Sequence, residues 1–322
     1  MENQTEVSEF ILMGLTNLFK LYNVLFTVFL LLYLATLVWN GAIIVILLSV
    51  PHLHTPMYFF LGNLSCLDIF FSTVTVPNML AGFLSNLHTI SFKSCMVQLH
   101  FFHFLGSSEV VLLGIMAYDR YVAICSPLHY TLIMRKEVCF LMATTAWCIG
   151  FFHALMHAIV TAHLSFCGSN HIEHFFCDIK PLLKLACDST YLNLMLLSTV
   201  TTCIVMGPFI FILISYLYII TFLLVKVKTQ SGWQKAFSTC GSHLTVVALL
   251  YVPVLFNYMI PTVGNSSKQD MIITLIYSAI TPVLNPLIYT MRNQEIKLTM
   301  KKLWRKKQPF FGNGSFGKLL QL

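Results

Sequence analysis

The chain has 322 residues, of which 57% are hydrophobic and only 10% charged; a soluble domain carries about 25% charged residues. So much apolar surface cannot be hidden inside one or two water-soluble cores, which excludes a soluble enzyme, a nucleic-acid binder and a disordered chain. The formal net charge of +7 comes from 19 Lys and Arg against 12 Asp and Glu, so the placement of the charges says more than their sum.

A polar segment, Met1–Lys20, precedes the first apolar stretch, Tyr22–Leu48. That stretch lacks a basic n-region and exceeds the roughly 7–15 apolar residues of a cleavable signal. Six more stretches follow: Met57–Leu84, Cys95–Cys125, Cys139–His163, Tyr191–Val225, Trp233–Pro261 and Met271–Met291. Each meets the roughly 20 residues that a spanning helix needs. All are too continuous for a barrel strand, which alternates over about 10 residues. The expected fold is an all-α membrane protein, a seven-transmembrane helix bundle over 22–291. A tail over 1–21 precedes it, and a short amphipathic helix and tail over 292–322 follow. The loops are short except Leu164–Thr190, and no internal repeat, low-complexity tract or appended soluble domain is visible.

The distribution of Lys and Arg sets the expected orientation. With the N-terminus outside, 14 of the 19 fall on the cytoplasmic side, leaving Lys20, Lys93, Lys180, Lys184 and Lys268 outside. Asn3-Gln4-Thr5 is then a usable glycosylation sequon, as is Asn265-Ser266-Ser267 where its short loop permits; Asn63 and Asn313 fall in the membrane or cytosol and should be silent. Four cysteines, Cys95, Cys167, Cys177 and Cys187, lie outside, where disulfides persist, and three pairings are open to them. Cys66, Cys125, Cys139, Cys148, Cys203 and Cys240 read as small apolar residues.

Ionisable groups inside the spans are the informative ones, because a charge in lipid is expensive. Asp68 lies 11 residues into the second span, and Glu109 lies 11 residues before Arg120, each about 16 Å from the cytoplasmic end. Asn40 and Asn285 share the inner half of their own helices. This convergence reads either as a hydrogen-bonded core that locks packing or as a cation or proton site whose occupancy biases two conformations. Two carboxylates at one depth cannot both stay charged without a cation or a shared proton. On the outer half-helices, apolar and mildly polar residues recur at helical spacing. They are Phe102, His103, Gly106, Ser107 and Val110 on the third helix, and Leu197, Val200, Thr201 and Ile204 on the fifth. The sixth contributes Tyr251, Val254, Leu255 and Tyr258, and the seventh Met271, Thr274, Leu275 and Ser278. The stripes carry no basic residue, so a neutral small molecule is the expected ligand. His153/His157 and His100/His103 have metal-pair spacing, but no Cys or carboxylate in helical register completes either site, and hydrogen-bonded core histidines are the favoured reading.

The third span closes on Met116-Ala117-Tyr118-Asp119-Arg120-Tyr121-Val122-Ala123-Ile124-Cys125. With seven helices and Asn285-Pro286-Leu287-Ile288-Tyr289, this run resembles a rhodopsin-like G-protein-coupled receptor. Three further stretches narrow the resemblance to the vertebrate olfactory (odorant) receptors: Leu53-His54-Thr55-Pro56-Met57-Tyr58-Phe59-Phe60-Leu61, Lys235-Ala236-Phe237-Ser238-Thr239-Cys240-Gly241-Ser242-His243-Leu244, and Pro282-Val283-Leu284-Asn285. The chain departs from that family at Trp39, where Gly is usual, at Leu250 in place of Phe, and at Val252-Pro253 after Tyr251.

The resemblance implies the disulfides Cys95–Cys177 and Cys167–Cys187, and a small volatile odorant bound in the outer half of the bundle. It also implies a cytoplasmic switch built from Asp119, Arg120, Tyr121, Tyr216, Asn285, Pro286 and Tyr289. That switch would act on a stimulatory olfactory-type G protein and raise cAMP. A sodium ion at Asp68, strengthened by Glu109, is implied by the wider superfamily; no other cofactor is expected. The expected location is the plasma membrane, in cilia of olfactory sensory neurons. The basic stretch Lys297–Lys307 is expected to lie on the anionic inner leaflet, with Leu298, Leu303 and Trp304 in lipid. No enzyme motif is present, neither HExxH, GxSxG nor a P-loop. A multi-pass transporter is the competing class, and it lacks the repeats or paired broken helices that class usually shows.

Overall fold

The structure, a computed structural model, describes residues 7–14, 22–85, 89–167, 169–226, 230–259, 267–292, 296 and 298–299. Seven long helices make up the bundle: α1 Tyr22–Ser49, α2 Pro56–Leu84, α3 Phe92–Cys125, α4 Lys136–Ala162, α5 Tyr191–Lys226, α6 Gln230–Met259 and α7 over 267–292. Their ends fall within a few residues of the apolar stretches. Six are long and apolar enough to cross a membrane among the described residues, and α6 contributes a shorter apolar stretch, Cys240–Phe256. The outward face is itself apolar: on α1, Val24, Leu31, Val38, Val45 and Leu48 are all exposed, the arrangement expected where the surroundings are hydrocarbon rather than water. The inward face of α1 repeats at Phe29, Thr36, Asn40, Ile43 and Leu47, the stripe of a helix that buries one side.

Local sequence sets where the helices begin and where they are irregular. Pro56 opens α2 directly after the extended Thr55, a position where a missing N–H costs nothing. Ser91 caps α3 by accepting the Ser94 amide at 3.2 Å. Two helices carry π segments, Leu197–Thr201 in α5 and Ile276–Ile280 in α7, and such insertions are frequent at functional sites. Pro77, Pro208, Pro253 and Pro286 lie inside α2, α5, α6 and α7, each removing a backbone hydrogen bond from its helix.

The end of the bundle that carries Cys95 is closed by a small sheet. Strand β1 (Glu9–Leu12) pairs antiparallel with β2 (Thr89–Ser91) and parallel with β3 (His171–Ile172), in the order β2-β1-β3. Phe10 and Leu12 are buried in a second apolar cluster with Ile90, Leu99, Phe166, Ile172 and Ile179. Part of the segment read as a tail is therefore a strand, because its alternation of Phe10 and Leu12 finds a face to cover. The bonds Cys95–Cys177 and Cys167–Cys187, with Cα separations of 5.4 and 5.8 Å, fasten the long loop at the same end.

Helix α3 runs through the centre, and α4 lies closest to it at Gly150. A Cβ there would sit 2.6 Å from the Phe104 carbonyl oxygen and nearer still to the Ser108 hydroxyl. Backbone cannot yield as a flexible side chain does, so Gly150→Val is expected to destabilise the bundle by about 1–3 kcal/mol. A lowered thermal midpoint of the purified protein and reduced delivery to the cell surface are the measurements; an unchanged midpoint contradicts this packing.

Candidate functional site

A cavity of about 50 Å³ opens between the helices below the long loop. Phe71 of α2, Phe102, His103, Gly106, Ser107, Glu109 and Val110 of α3, His153 of α4, Thr201 and Val205 of α5, Leu250 and Val254 of α6, and Tyr277 of α7 line it. The structure thus brings together Phe102, His103, Gly106, Ser107, Val110, Thr201 and Val254 from the expected set. Tyr251 is buried with its hydroxyl donating towards the Val110 carbonyl at 3.5 Å. Val200, Ile204 and Leu255 are half-buried and do not line the cavity. On α5 Val205, four residues after Thr201 on the regular helix that follows the π segment, faces inward in place of Ile204. On α7 the second π segment presents Tyr277 to the cavity, while Thr274 and Ser278 are buried away from it. The Tyr258 side chain lies outside the described residues.

The cavity's roof is the loop beside Cys177. Gln98 accepts the Cys177 amide at 3.0 Å and donates to the Val74 carbonyl at 3.1 Å, and Phe176 packs on Phe102 with ring centroids 4.4 Å apart. Asp178, buried in the same turn, accepts the Ile179 amide at 2.7 Å and meets His103 Nε2 at 3.1 Å. Burial alone would raise the Asp178 carboxyl, but the bond to His103, the neighbouring His174 and the Ile179 amide outweigh it and hold it below its ordinary value. His174 is 2% exposed, and burial brings it down to about 4 against the pull of Asp178 and of the Phe176 backbone. Deeper in the wall, Ser107 Oγ lies 2.8 Å from His153 Nδ1, and Thr201 Oγ1 lies 3.0 Å from His153 Nε2 and 2.9 Å from His157 Nε2. Hydrogen bonding thus engages both ring nitrogens of His153 and one of His157, whose Nδ1 is buried without a partner. No group of three His, Cys, Asp or Glu side chains suited to a metal ion occurs among the described residues.

At mid-depth, Asn285 Nδ2 donates to Asp68 Oδ1 at 3.0 Å and lies 3.4 Å from Glu109 Oε1. Asn40 Nδ2 donates to the Thr36 and Pro282 carbonyls at 3.1 and 3.0 Å. Asp68 and Glu109 thus share one amide, and Asn40 stands apart, tying α1 to α7. Asp68 Oδ2 and Asn285 Oδ1 are buried without partners; with Glu109 they form an all-oxygen donor set, which fits a hard cation.

Towards the opposite end from the disulfides, Arg120 pairs with Asp119 at 3.3 Å, and Asp119 Oδ1 accepts the Tyr130 hydroxyl at 2.7 Å. Tyr216 and His243 Nδ1 lie 2.8 Å apart, and His243 Nε2 donates to the Leu113 carbonyl at 3.1 Å. Tyr216 is therefore engaged by α6, the Tyr289 hydroxyl is buried without a partner, and Tyr121 packs against Tyr218 at 6.1 Å. Pro286 keeps its carbonyl occupied by Thr290 at 2.7 Å.

The sequence model of the olfactory receptor family matches residues 29–307. The human proteins named Olfactory receptor 12D1 and Olfactory receptor 12D3 are 58% and 54% identical, each over 95% of this chain and 97% of their own length. The chain belongs to the olfactory receptor family. Squid rhodopsin shares the fold, with a TM-score of 0.72 at 18% identity over 90% of this chain and 83% of the rhodopsin. The protein is accordingly a multi-pass G-protein-coupled odorant receptor and not an enzyme.

For this olfactory receptor, sequence reasoning missed Phe71, His153, Val205, Leu250 and Tyr277 as cavity residues and assigned Glu109 to the polar core alone. A signal existed only for His153, whose spacing to His157 placed both on one face. Asn3 and most of the basic stretch after residue 292 lie outside the described residues.

The roof titrates in a defined direction. Between pH 6.5 and about 4 the unfolded chain protonates His174 and the folded receptor does not, so folding stability falls as pH drops through that window and levels off below it. Asp178 adds a loss of its own only as pH falls below the ordinary carboxyl value. Across the His174 window the loss is up to about 3 kcal/mol. Thermal midpoints of the solubilised receptor should therefore decline from pH 7 to pH 4, and His174→Gln should flatten that decline; an equally steep decline in the variant contradicts the assignment.

Proposed function

We propose that this receptor binds a small, neutral volatile odorant in the cavity beneath the Cys177 turn and couples it to a stimulatory olfactory-type G protein that raises cAMP. The observation that carries the reading is the cavity itself. Its wall is phenyl, aliphatic and tyrosine surface interrupted by His103, Ser107, Glu109, His153 and Thr201, mostly apolar with a few polar groups, as small-molecule pockets are. Among the described residues no lysine or arginine lines it, so a free carboxylate finds no permanently charged partner there, and Glu109 adds an acid to the wall. At about 50 Å³ it is well below the roughly 300 Å³ of a typical ligand pocket, so binding requires the lining side chains to move apart. Leu250 and Val254 belong to α6, which carries His243 about two turns before Leu250, and a shift of α6 at the cavity therefore reaches the Tyr216–His243 contact.

In this reading the N-terminus is extracellular, the protein sits in the plasma membrane of sensory cilia, and the basic segment beyond residue 292 rests on the inner leaflet. Arg120, held by Asp119, is the group released towards the G protein, with Tyr216 and Tyr289 as its supports once Tyr216 leaves His243. A sodium ion would be held by Asp68, Glu109 and the Asn285 carbonyl, where it would offset the two carboxylates and favour the compact bundle.

Arg120→Ala should abolish agonist-driven cAMP in transfected cells while surface expression stays measurable; full signalling by a well-expressed variant refutes the switch. Glu109→Gln should weaken the dependence of agonist potency on sodium, measured at fixed ionic strength, more than it alters odorant selectivity. Equal sodium dependence in both proteins leaves the carboxyl pair as a packing element only.

A further inference from the structure

The hydrogen bonds behind the cavity wall form one continuous chain, Ser107–His153–Thr201–His157, spanning α3, α4 and α5. His153 and His157 are 4% and 1% exposed, their ring centroids are 4.8 Å apart, and no carboxylate bonds to either. Two cations so close in a dry site would repel strongly, so each ring is neutral, with one N–H donor and one bare acceptor nitrogen. Thr201 has one proton for two imidazole contacts. The chain ends in His157 Nδ1, which is buried without a partner.

Only three proton arrangements satisfy all three contacts. If Ser107 donates to His153, His153 to Thr201 and Thr201 to His157, the chain ends in a buried, unpartnered N–H on His157 Nδ1. If both histidines donate to Thr201, Ser107 donates to His153 and the one free hydrogen is on the Thr201 hydroxyl, which also lines the cavity. If His157 donates to Thr201, Thr201 to His153 and His153 Nδ1 to Ser107, the buried remnant is a lone pair on His157, and every interior donor is used. Orphaned buried N–H groups are the rarest of these defects, and an unmet donor costs the full desolvation penalty. The third arrangement leaves one hydrogen free, on the Ser107 hydroxyl, and Ser107 lines the cavity.

We propose that the chain commits one wall hydroxyl, Ser107 or Thr201, as a hydrogen-bond donor to the ligand, so that the receptor selects neutral compounds through an acceptor oxygen, aldehydes, ketones and esters in particular. This rests on the cavity being the odorant site. The chain, not one hydroxyl alone, sets the polarity: the oxygen that keeps the free hydrogen already accepts from histidine, Thr201 from both rings or Ser107 from His153 Nδ1.

Matched sets test this: a methyl ketone, the secondary alcohol of the same skeleton and the parent alkane, at several chain lengths, read by cAMP potency and by thermal stabilisation of the purified receptor. The ketone should equal or exceed the alcohol, the alkane should be weaker by about two- to tenfold, and one of Ser107→Ala and Thr201→Val should bring the ketone down to the alkane; a preference for the ketone that survives both overturns the proposal. An active alcohol whose ketone is tenfold weaker reverses the chain and overturns the proposal. Silence of every member in both readouts instead removes the cavity as the odorant site. The proton order is also readable without ligand or variant folding at Ser107, by nitrogen NMR of the receptor labelled at histidine and assigned with His153→Gln and His157→Asn. His157 protonated at Nε2 is expected, with His153 protonated at Nδ1 where Ser107 is the donor and at Nε2 where Thr201 is; a protonated His157 Nδ1 overturns the assignment.

Discussion

Inside a bilayer a polar side chain has no water to turn to, and the rest of this structure depends on how α3 answers that requirement. Its groups are each met by a different neighbour. Gln98 is held by α2 and the long loop, His103 by Asp178, Ser107 by α4, Glu109 by the α7 amide and Asp119 by Tyr130. An unmet group in hydrocarbon costs several kcal/mol, so these partners fix the rotation and height of α3 relative to the other helices. The cavity lies in the interval between two such levels, above Asn285 and below Asp178. It is a gap in a polar scaffold rather than a fault in an apolar core.

The two ends of the bundle use this scaffold differently. At the disulfide end the partners come from a loop, fastened by Cys95–Cys177 and covered by a strand. At the Arg120 end they come from neighbouring helices, α5 and α6 meeting through Tyr216 and His243. A covalent tether resists displacement, whereas a hydrogen bond between two helices exchanges readily for another. The molecule therefore has a stiff end and a compliant one, joined by α3, which is the geometry a receptor needs if a ligand at one end is to bias contacts at the other.

Helix number, helix limits and the residues at mid-depth were legible in the sequence because long apolar runs and stranded charges are strong signals in any lipid-facing chain. The depth of Asp68 and Glu109 followed from counting residues, and the structure joins both to Asn285. Asn40 shares that depth but not that partner, because counting gives height along a helix and not rotation about it. The stripe on α3 was readable for a related reason: the helix is regular, so Phe102, His103, Gly106, Ser107 and Val110 keep their phase. On α5 and α7 a π segment interrupts the regular helix, and nothing in Leu197–Thr201 or Ile276–Ile280 announces it. The His103–Asp178 contact was also invisible, since it joins a helix to a loop whose path is set by a disulfide. Phe10 and Leu12 sat in a segment too short and too polar to stand out, and only their partners make them a strand.

That strand has a consequence for how the molecule is made. Glu9–Leu12 leaves the ribosome first, yet its neighbours are Thr89–Ser91 and His171–Ile172, and the second of these emerges only after α4. The strand must wait unpaired while α1 and α2 enter the membrane, and its parallel partner follows only after α4, so the sheet is completed last among these parts. Its pairing is thus a record that the first half of the bundle has been threaded in the correct order. A chain in which α2 or α4 had failed to insert would carry its first strand loose, with Phe10 exposed for a chaperone to grip.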